Sequence, residues 1–365
     1  MNIIHFANHF SPRIGGVELS VACTAEAQAR RGHRVTVLTE TPSSEDPARP
    51  YQVKRFSVPI RRPFTRLLYW RWMWQNRAWI GAADVLHFHD YTTFLHWFSP
   101  LRLLIRKPRY VITFHGFEGM PIRRRHKVFR SVTARCMHVC LGVGSYLAQY
   151  YAHRFDAFYL GAPVRALGVL PRGDAATFAY VGRLAPDTGI VEFLRDLETV
   201  VSGRSLHATV RLAGEGSAGE TLRARTSAYL RMEFRGMVTD PEAVYTGAGM
   251  IVATGFLALF DAFRTGIPVI IPAYNTLKLR YARSIPGIED MAFVLPDSES
   301  AVATLRNLLD GSAEELARAR AARASEWIRG RSWDEVAEVL DVWYQSSHTN
   351  ERETEVQAGR SGVCA

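Results

Sequence analysis

The chain opens on MNIIHFAN, an apolar run of strand length, passes through turn chemistry in SPRIGG, continues with apolar residues at helical spacing in VELSVACTAEAQARRG, and returns to a second apolar run in HRVTVLT. Strand, helix and strand in that order form a βαβ unit, whose strands must run parallel and be covered by helices. Further apolar runs at ADVLHFH, RYVITFHG and HVCLGVG extend the same sheet. The alternation then begins again. TFAYVGRL, ATVRLAGEG, MEFRGMV, MIVAT, PVIIP and AFVLP are predicted strands, with helices at GIVEFLRDLETVV, SAGETLRARTSAYL, PEAVYTGA, ESAVATLRNLLD and Ala313 to Ile328 between and after them. The fold class is therefore α/β, with two doubly wound, Rossmann-like domains.

A chain of 365 residues exceeds what one hydrophobic core usually supports, which agrees with that restart. The boundary is expected in GAPVRALGVLPRGDAA (Gly161 to Ala176), where Gly, Pro and Ala replace the periodic pattern. This gives an N-terminal domain over 1–165, a C-terminal domain over 166–330, a last helix over 331–345 that crosses back to the first domain, and a disordered tail over 346–365. The 47% hydrophobic and 22% charged content excludes disordered and collagen-like classes. Cys23, Cys136, Cys140 and Cys364 are too scattered for a disulfide framework, and MNIIHFANHF lacks the basic and apolar regions of a signal peptide. Arginines interrupt every apolar run well before the roughly 18 residues that cross a bilayer. The expected location is cytoplasmic, with peripheral contact at the inner face of the membrane.

That membrane contact is suggested by the charge, which totals +10 but is concentrated in one region. Between Tyr51 and Arg130 there are sixteen Lys/Arg against three Asp/Glu, so the rest of the chain is slightly acidic. Four of the eight Trp fall in YWRWMWQNRAW (Tyr69 to Trp79), beside Arg71 and Arg77. A basic aromatic region at 54–79 suits anionic headgroups or an acidic acceptor, and equally suits a core helix whose arginines reach out to water.

Two parallel α/β domains present the carboxyl ends of their strands to ligands, so candidate residues should lie just after strands. Arg183 follows a strand in VGRLAPDTG, Gly214 and Gly216 end another in LAGEGS, and Gly255 precedes a helix that holds Asp261. An arginine beside helix-end amides makes a diphosphate site. Asp261 could accept hydrogen bonds from a ribose diol, and the backbone near Met237 and Val238 could read a base edge. Thr254, Gly255, Phe256 and Leu257 form the loop at the helix start.

The ordered set GGVE, RRGHRVTVLT, TFHG, YVGRL, LAGEG, FRGMV and DAFRTGIPVI resembles the retaining family 4 glycosyltransferases over nearly the whole chain. These have the GT-B architecture, two Rossmann-like domains facing a central cleft. The resemblance implies transfer of a hexose from a nucleotide-diphosphate donor, a UDP-sugar first and a GDP-sugar second, with retention and with no cofactor or metal. The acceptor would be a lipid-linked or polysaccharide glycan, or a small natural product; nucleic acid is not an expected partner. By the same resemblance Gly15 and Gly16 form the loop that approaches donor phosphate and acceptor. His115 is the active-site histidine near the transferred sugar, Arg183 the diphosphate arginine, and Asp261 the second acid of the E-x7-E motif.

Two positions depart from the family. Thr188 stands where the donor-binding lysine is usual, and Ala253 stands where the first acid of E-x7-E would reach donor-sugar hydroxyls. A branch of the family with a small residue there, followed by G-[YF]-L, is compatible with ATGFL. Lys278 and Arg280, in the basic stretch AYNTLKLRYARSIPG, are candidates to replace the lost lysine. Glu18 and Glu118 follow the two cleft loops and could bind an acceptor hydroxyl or cap a helix; His89 is a third acceptor-side candidate. His87 and His89 alternate beside Asp90 in LHFHDY, an arrangement short of a metal set. Cys136, His138 and Cys140 are expected in one apolar strand. A nicotinamide dehydrogenase is disfavoured because the first turn reads PRIGGVE rather than G-x-G-x-x-G. A small-aglycone glycosyltransferase, a nucleotide-sugar epimerase and a non-catalytic nucleotide-binding homologue remain open.

Overall fold

Strands whose residues are nearly all buried belong inside a sheet covered on both faces, and the apolar runs of the first half form such a sheet. It contains β1 (Asn2–Ala7), β2 (Arg34–Thr39), β3 (Gln52–Arg55), β4 (Val85–His89), β5 (Arg109–Phe114), β6 (Val139–Val143) and β7 (Ala157–Tyr159). All neighbours run parallel, in the order β3-β2-β1-β4-β5-β6-β7. The computed structural model describes residues 1–57, 64–116 and 122–346. The chain divides into two units, Met1–Gly161 with Ser332–Ala365, and Ala162–Arg331.

In the first unit α1 (Gly16–Arg30) packs Val21 and Ala25 against Val35 and Val37. It ends at Gly32, whose φ of +84° carries the chain out of the helix. α2 (Thr65–Gln75), α3 (Arg77–Gly81) and α4 (Arg124–Arg135) complete the run. The core-helix reading of the basic aromatic region holds in part. Tyr69 and Met73 are buried and Trp72 stacks on Phe56 at 4.7 Å, while Phe64, Leu67 and Trp74 point outward. Lys54 Nζ sits 4.2 Å over the Trp79 ring and Arg77 lies 4.3 Å over Trp74, so two of the cations are held by aromatic faces.

The second unit repeats the plan. Its strands β8 (Thr177–Val181), β9 (Ala208–Ala213), β10 (Leu230–Gly236), β11 (Met250–Val252), β12 (Val269–Pro272) and β13 (Phe293–Leu295) are parallel in the order β10-β9-β8-β11-β12-β13. The helices are α5 (Ile190–Ser202), α6 (Gly219–Ala224), α7 (Glu242–Tyr245), α8 (Phe256–Arg264), α9 (Thr276–Ala282), α10 (Ile288–Met291), α11 (Ser298–Leu309) and α12 (Glu314–Arg329). Phe193, Leu197 and Leu305 meet Phe178, Val210 and Leu212 of the sheet. Strand order reverses between β1 and β4 in one unit and between β8 and β11 in the other, which exposes the loops after those strands.

After the second unit the chain enters α13 (Trp333–Gln345), which packs on α1 in the first. Its start is a capping box, with the Ser332 hydroxyl accepting from Glu335 N–H and the Glu335 carboxylate accepting from Ser332 N–H.

Several sequence expectations are corrected. The helix expected over SAGETLRARTSAYL stops at Ala224, because the Ser227 hydroxyl accepts from the Tyr229 and Leu230 amides and holds a turn there. Cys136 and His138 precede β6 rather than share it. Cys136 caps α4, while His138 accepts from the Tyr110 amide through Nδ1 and only Cys140 is buried in the strand. The stretch around Lys278 is a helix, α9, started by Asn275, whose side chain accepts from the Lys278 amide. Glu118 and nearly all of the 346–365 tail, with Cys364, lie outside the described residues.

Candidate functional site

In the second unit the loops after β8, β9 and β10 are tied by backbone bonds, from Gly182 N–H to the Ala213 carbonyl (2.9 Å), Leu184 N–H to Glu215 (2.9 Å) and Gly214 N–H to Gly236 (2.7 Å). Such contact leaves no room for side chains. A Cβ on Gly214 would collide with the Gly182 carbonyl, and one on Gly216 with that of Leu184. These glycines are thus explained by loop packing. Tyr180 adds a further tie, its hydroxyl donating to the Arg183 carbonyl at 2.7 Å and lying 3.3 Å from Thr254 Oγ1.

On this frame Arg183 is exposed and ion-paired with Asp187 at 2.6 Å. Thr188 is buried and its hydroxyl donates to the Ala185 carbonyl at 2.6 Å, so it points no polar group outward. Lys278 approaches from α9 instead. Its Nζ donates to the Thr254 carbonyl at 3.3 Å, near enough to Arg183 and Asp187 to feel both charges. Burial lowers the Lys278 ammonium to about 8, with the Arg183 charge adding to the effect and Asp187 opposing it. Arg280 lies on the same helix with its side chain exposed.

Helix α8 (Phe256–Arg264) is preceded by Gly255, whose backbone is extended. The Phe256 amide donates to the Tyr281 hydroxyl at 2.6 Å, with the two rings stacked at 3.9 Å, and Leu257 is half-buried in the same turn. Ala253 is fully buried. Asp261 is also buried. Its Oδ1 accepts from the Val164 and Arg165 amides at 2.7 and 3.0 Å, and desolvation raises the carboxyl to about 6 against those two bonds. One carboxylate oxygen of Asp261 therefore holds the segment that enters the unit. Arg165 in turn donates to the Thr239 carbonyl at 2.6 and 3.0 Å, beside exposed Met237 and half-buried Val238.

In the first unit the loop after β1 leads to Gly15 and Gly16 at the start of α1. The Glu18 carboxylate folds back over Gly15, where a Cβ would strike it, and lies 3.8 Å from Arg13; the space above Gly16 is open. That position places Glu18 at the amide end of its own helix, where an acid is favoured.

His115 follows β5 and is half-buried. Behind it His5 and His87 are register partners on β1 and β4, and His89 stands two residues further along β4. The ring nitrogens connect as a chain. His115 Nε2 lies 2.8 Å from His89 Nδ1, His89 Nε2 lies 3.0 Å from His5 Nδ1, and His5 Nε2 lies 2.7 Å from Gln28 Oε1. Gln28 Nε2 donates to the Tyr344 hydroxyl at 3.1 Å, which is 2.7 Å from His87 Nδ1, while His87 Nε2 is 2.9 Å from Thr113 Oγ1. His89, expected to meet the acceptor, is buried with both ring nitrogens engaged by other histidines. Burial keeps the rings neutral, holding His5 at about 4 and His115 at about 3, with the Arg130 charge also acting on His115. Arg130 is itself buried, stacked 4.0 Å over Tyr151, with its guanidinium donating to the Gly116 carbonyl.

Sequence reasoning missed His5, Gln28, Arg130, Tyr281 and Tyr344. A histidine inside the otherwise apolar IIHFA run was the one available signal.

Two strand-end sites on two Rossmann-like sheets invite comparison with known proteins. Residues 14–157 match the family model Glycosyltransferase Family 4. That match runs from the loop before α1 to the first residue of β7, and includes the loop glycine Gly15 and His115. No curated protein sequence matches the chain. Among solved structures, sucrose-phosphate synthase from Thermosynechococcus elongatus is similar at TM-score 0.71 and 16% identity, covering 94% of this chain and 98% of that one. Anabaena HepE in complex with UDP is similar at TM-score 0.69 and 14% identity, covering 93% and 100%. WaaG, a glycosyltransferase involved in lipopolysaccharide biosynthesis, is similar at TM-score 0.64 and 14% identity, covering 94% and 100%. The architecture is GT-B, with two Rossmann-like units. Among the described residues no helix is long and apolar enough to cross a membrane.

Proposed function

We propose that the chain is a retaining glycosyltransferase that takes a hexose from a UDP-sugar. The observation that carries this reading is the approach of Lys278 to Arg183 and Thr254 at the start of α8, in a unit of GT-B architecture. Two cations and helix-end amides are what a departing nucleotide diphosphate requires, because negative charge grows on it as the anomeric C–O bond breaks. Lys278 thus takes the place of the lysine absent at Thr188. HepE, which shares the fold, has been solved with UDP and with UDP-glucose, which favours a uridine donor.

The backbone near Met237 and Val238 would meet the base, and Gly214, Thr254, Gly255, Phe256 and Leu257 would surround the phosphates. Asp261 would contact the ribose through the oxygen not used by Val164 and Arg165. His115 would face the transferred sugar, and Gly16, with open space above it, would face the acceptor. The acceptor would attack on the face from which the nucleotide leaves, its proton passing to a leaving phosphate oxygen; no cofactor is invoked. Phe64, Leu67 and Trp74, beside Arg66 and Arg71, would serve a lipid-linked acceptor at an anionic surface. A GDP-sugar donor, and a small aglycone as acceptor, are the second choices.

The test is nucleotide release from a panel of UDP- and GDP-sugars, with melting curves in UDP. Saturating UDP at 100 times its Kd should stabilise the chain by about 2.7 kcal/mol. If no nucleotide shifts the melt and none is released, the reading fails. Product analysis with donor alone separates an epimerase, and the anomeric configuration of the product decides retention.

A further inference from the structure

We propose that His89 and His5 are positioning residues that hold His115 as its Nε2–H tautomer, so that the nitrogen it offers to a substrate hydroxyl is an unprotonated Nδ1. The assignment follows from one fixed end. Gln28 Oε1 can only accept, so His5 Nε2 must carry its proton to make the 2.7 Å bond. A neutral ring has one N–H, which leaves His5 Nδ1 a lone pair and makes His89 Nε2 the donor across 3.0 Å. His89 Nδ1 is then the acceptor, and His115 Nε2 must donate across 2.8 Å. The other branch agrees. Gln28 Nε2 donates to Tyr344, whose hydroxyl is left to donate to His87 Nδ1, and His87 Nε2–H donates to Thr113.

Every bond in the chain points the same way, so no ring can change tautomer without its neighbours. Desolvation works in the same direction by keeping the rings neutral. A metal among His5, His87 and His89, each of which has a ring nitrogen within 4.8 Å of the others', would have to break one of these bonds at each ring, since both nitrogens of every ring are engaged. The tautomer assignment rests on these distances, the orientation of the Gln28 amide and the neutrality of the rings; only the identity of the hydroxyl, one on the transferred sugar, rests on the proposed function. Nδ1 presented this way accepts a hydrogen bond from a hydroxyl, and an Nδ1–H tautomer would instead present a donor.

The experiment is long-range ¹H–¹⁵N correlation on the full chain labelled with [¹⁵N]histidine at pH 7.5, with His115 assigned from His115→Gln. A single Nε2–H pattern at His115 is expected. An Nδ1–H pattern, in which Gln28 is turned over and every bond reversed, overturns the proposal, as does a stoichiometric metal in the purified protein. In His89→Phe and in Gln28→Leu the His115 signals should become a mixture of tautomers. If either variant folds and keeps the single pattern, the relay is not what holds it. The wild-type spectrum decides the tautomer even if both variants fail to fold. With an active donor, His89→Phe should lower kcat by about tenfold or more while changing donor KM and UDP Kd less than about twofold. A chain that shows the Nε2–H pattern yet neither binds UDP nor turns over a UDP-sugar refutes the proposed function and leaves the tautomer assignment standing.

Discussion

Replacement of Lys278 by Met should make the unliganded protein more stable and its nucleotide binding weaker. Burial lowers the Lys278 ammonium from 10.5 to about 8. At about 1.4 kcal/mol per pH unit, keeping it charged in the folded state therefore costs up to about 3 kcal/mol. Because its folded value lies below its unfolded one, the unfolded chain holds the proton more tightly between pH 8 and 10.5. Stability rises with pH across that window, and the cost is fully present below it. Met removes that cost, so the variant should gain up to about 3 kcal/mol at pH 7. A nucleotide diphosphate supplies the missing counter-charge, and a charge-assisted hydrogen bond contributes about 1.5–3 kcal/mol, so UDP affinity should fall roughly 10- to 100-fold. Binding would also return Lys278 to full charge, drawing in about half a proton at pH 8. Calorimetric titration with UDP at pH 8, in buffers of different ionisation heat, measures both quantities. Affinity within twofold of wild type, together with the same proton uptake in wild type and Lys278→Met, would refute the placement of this lysine against the phosphates.

Three further outcomes follow from buried groups. Asp261→Asn keeps an acceptor for Val164 and Arg165 but removes a carboxyl that burial raises from 3.8 to about 6; that charge costs stability as pH rises through this window and fully above it. Melts should therefore show up to about 3 kcal/mol of stabilisation at pH 7.5 and none at pH 3. Gly214→Ala forces a Cβ into the Gly182 carbonyl at a φ of +130°, and its urea midpoint should report a loss of about 2 kcal/mol or more, against almost none for Gly16→Ala in open space. Tyr344→Phe leaves Gln28 Nε2 and His87 Nδ1 without their hydroxyl, which should cost about 2 kcal/mol in chemical denaturation of the full chain.

The sheets were legible because parallel strands buried on both faces are written as continuous apolar runs. β3 and β7 escaped because they are the two edges of the first sheet, where no apolar run is required: Gln52, Lys54 and Arg55 of β3 are partly solvated, and β7 is only Ala157–Tyr159 with two of its residues half-buried. The strand-end position of Arg183 was readable for the same reason as the strands. Lys278 was marked only by its basic neighbourhood, since nothing local in TLKLRYA connects it to Thr254. The histidine chain was half legible. The alternation of His87 and His89 put two rings on one face, but their partners come from β1, α1 and α13, and sequence spacing says nothing about elements so far apart. Asp261 was found as an acid on the helix after Gly255, although it stands in the second turn rather than at the start, while its use by the Val164 and Arg165 amides depends on where the linker folds back.

Helix α13 gives the first unit a particular order of manufacture. Its seven strands are complete by Tyr159, yet the hydroxyl that joins Gln28 to His87 belongs to Tyr344. A ribosome must therefore make the whole second unit before the polar interior of the first can close. Until then a nascent chain carries two unanswered polar groups, Gln28 on α1 and His87 on β4, open to water and to chaperones, and a fragment cut after Arg331 would keep that vulnerability permanently.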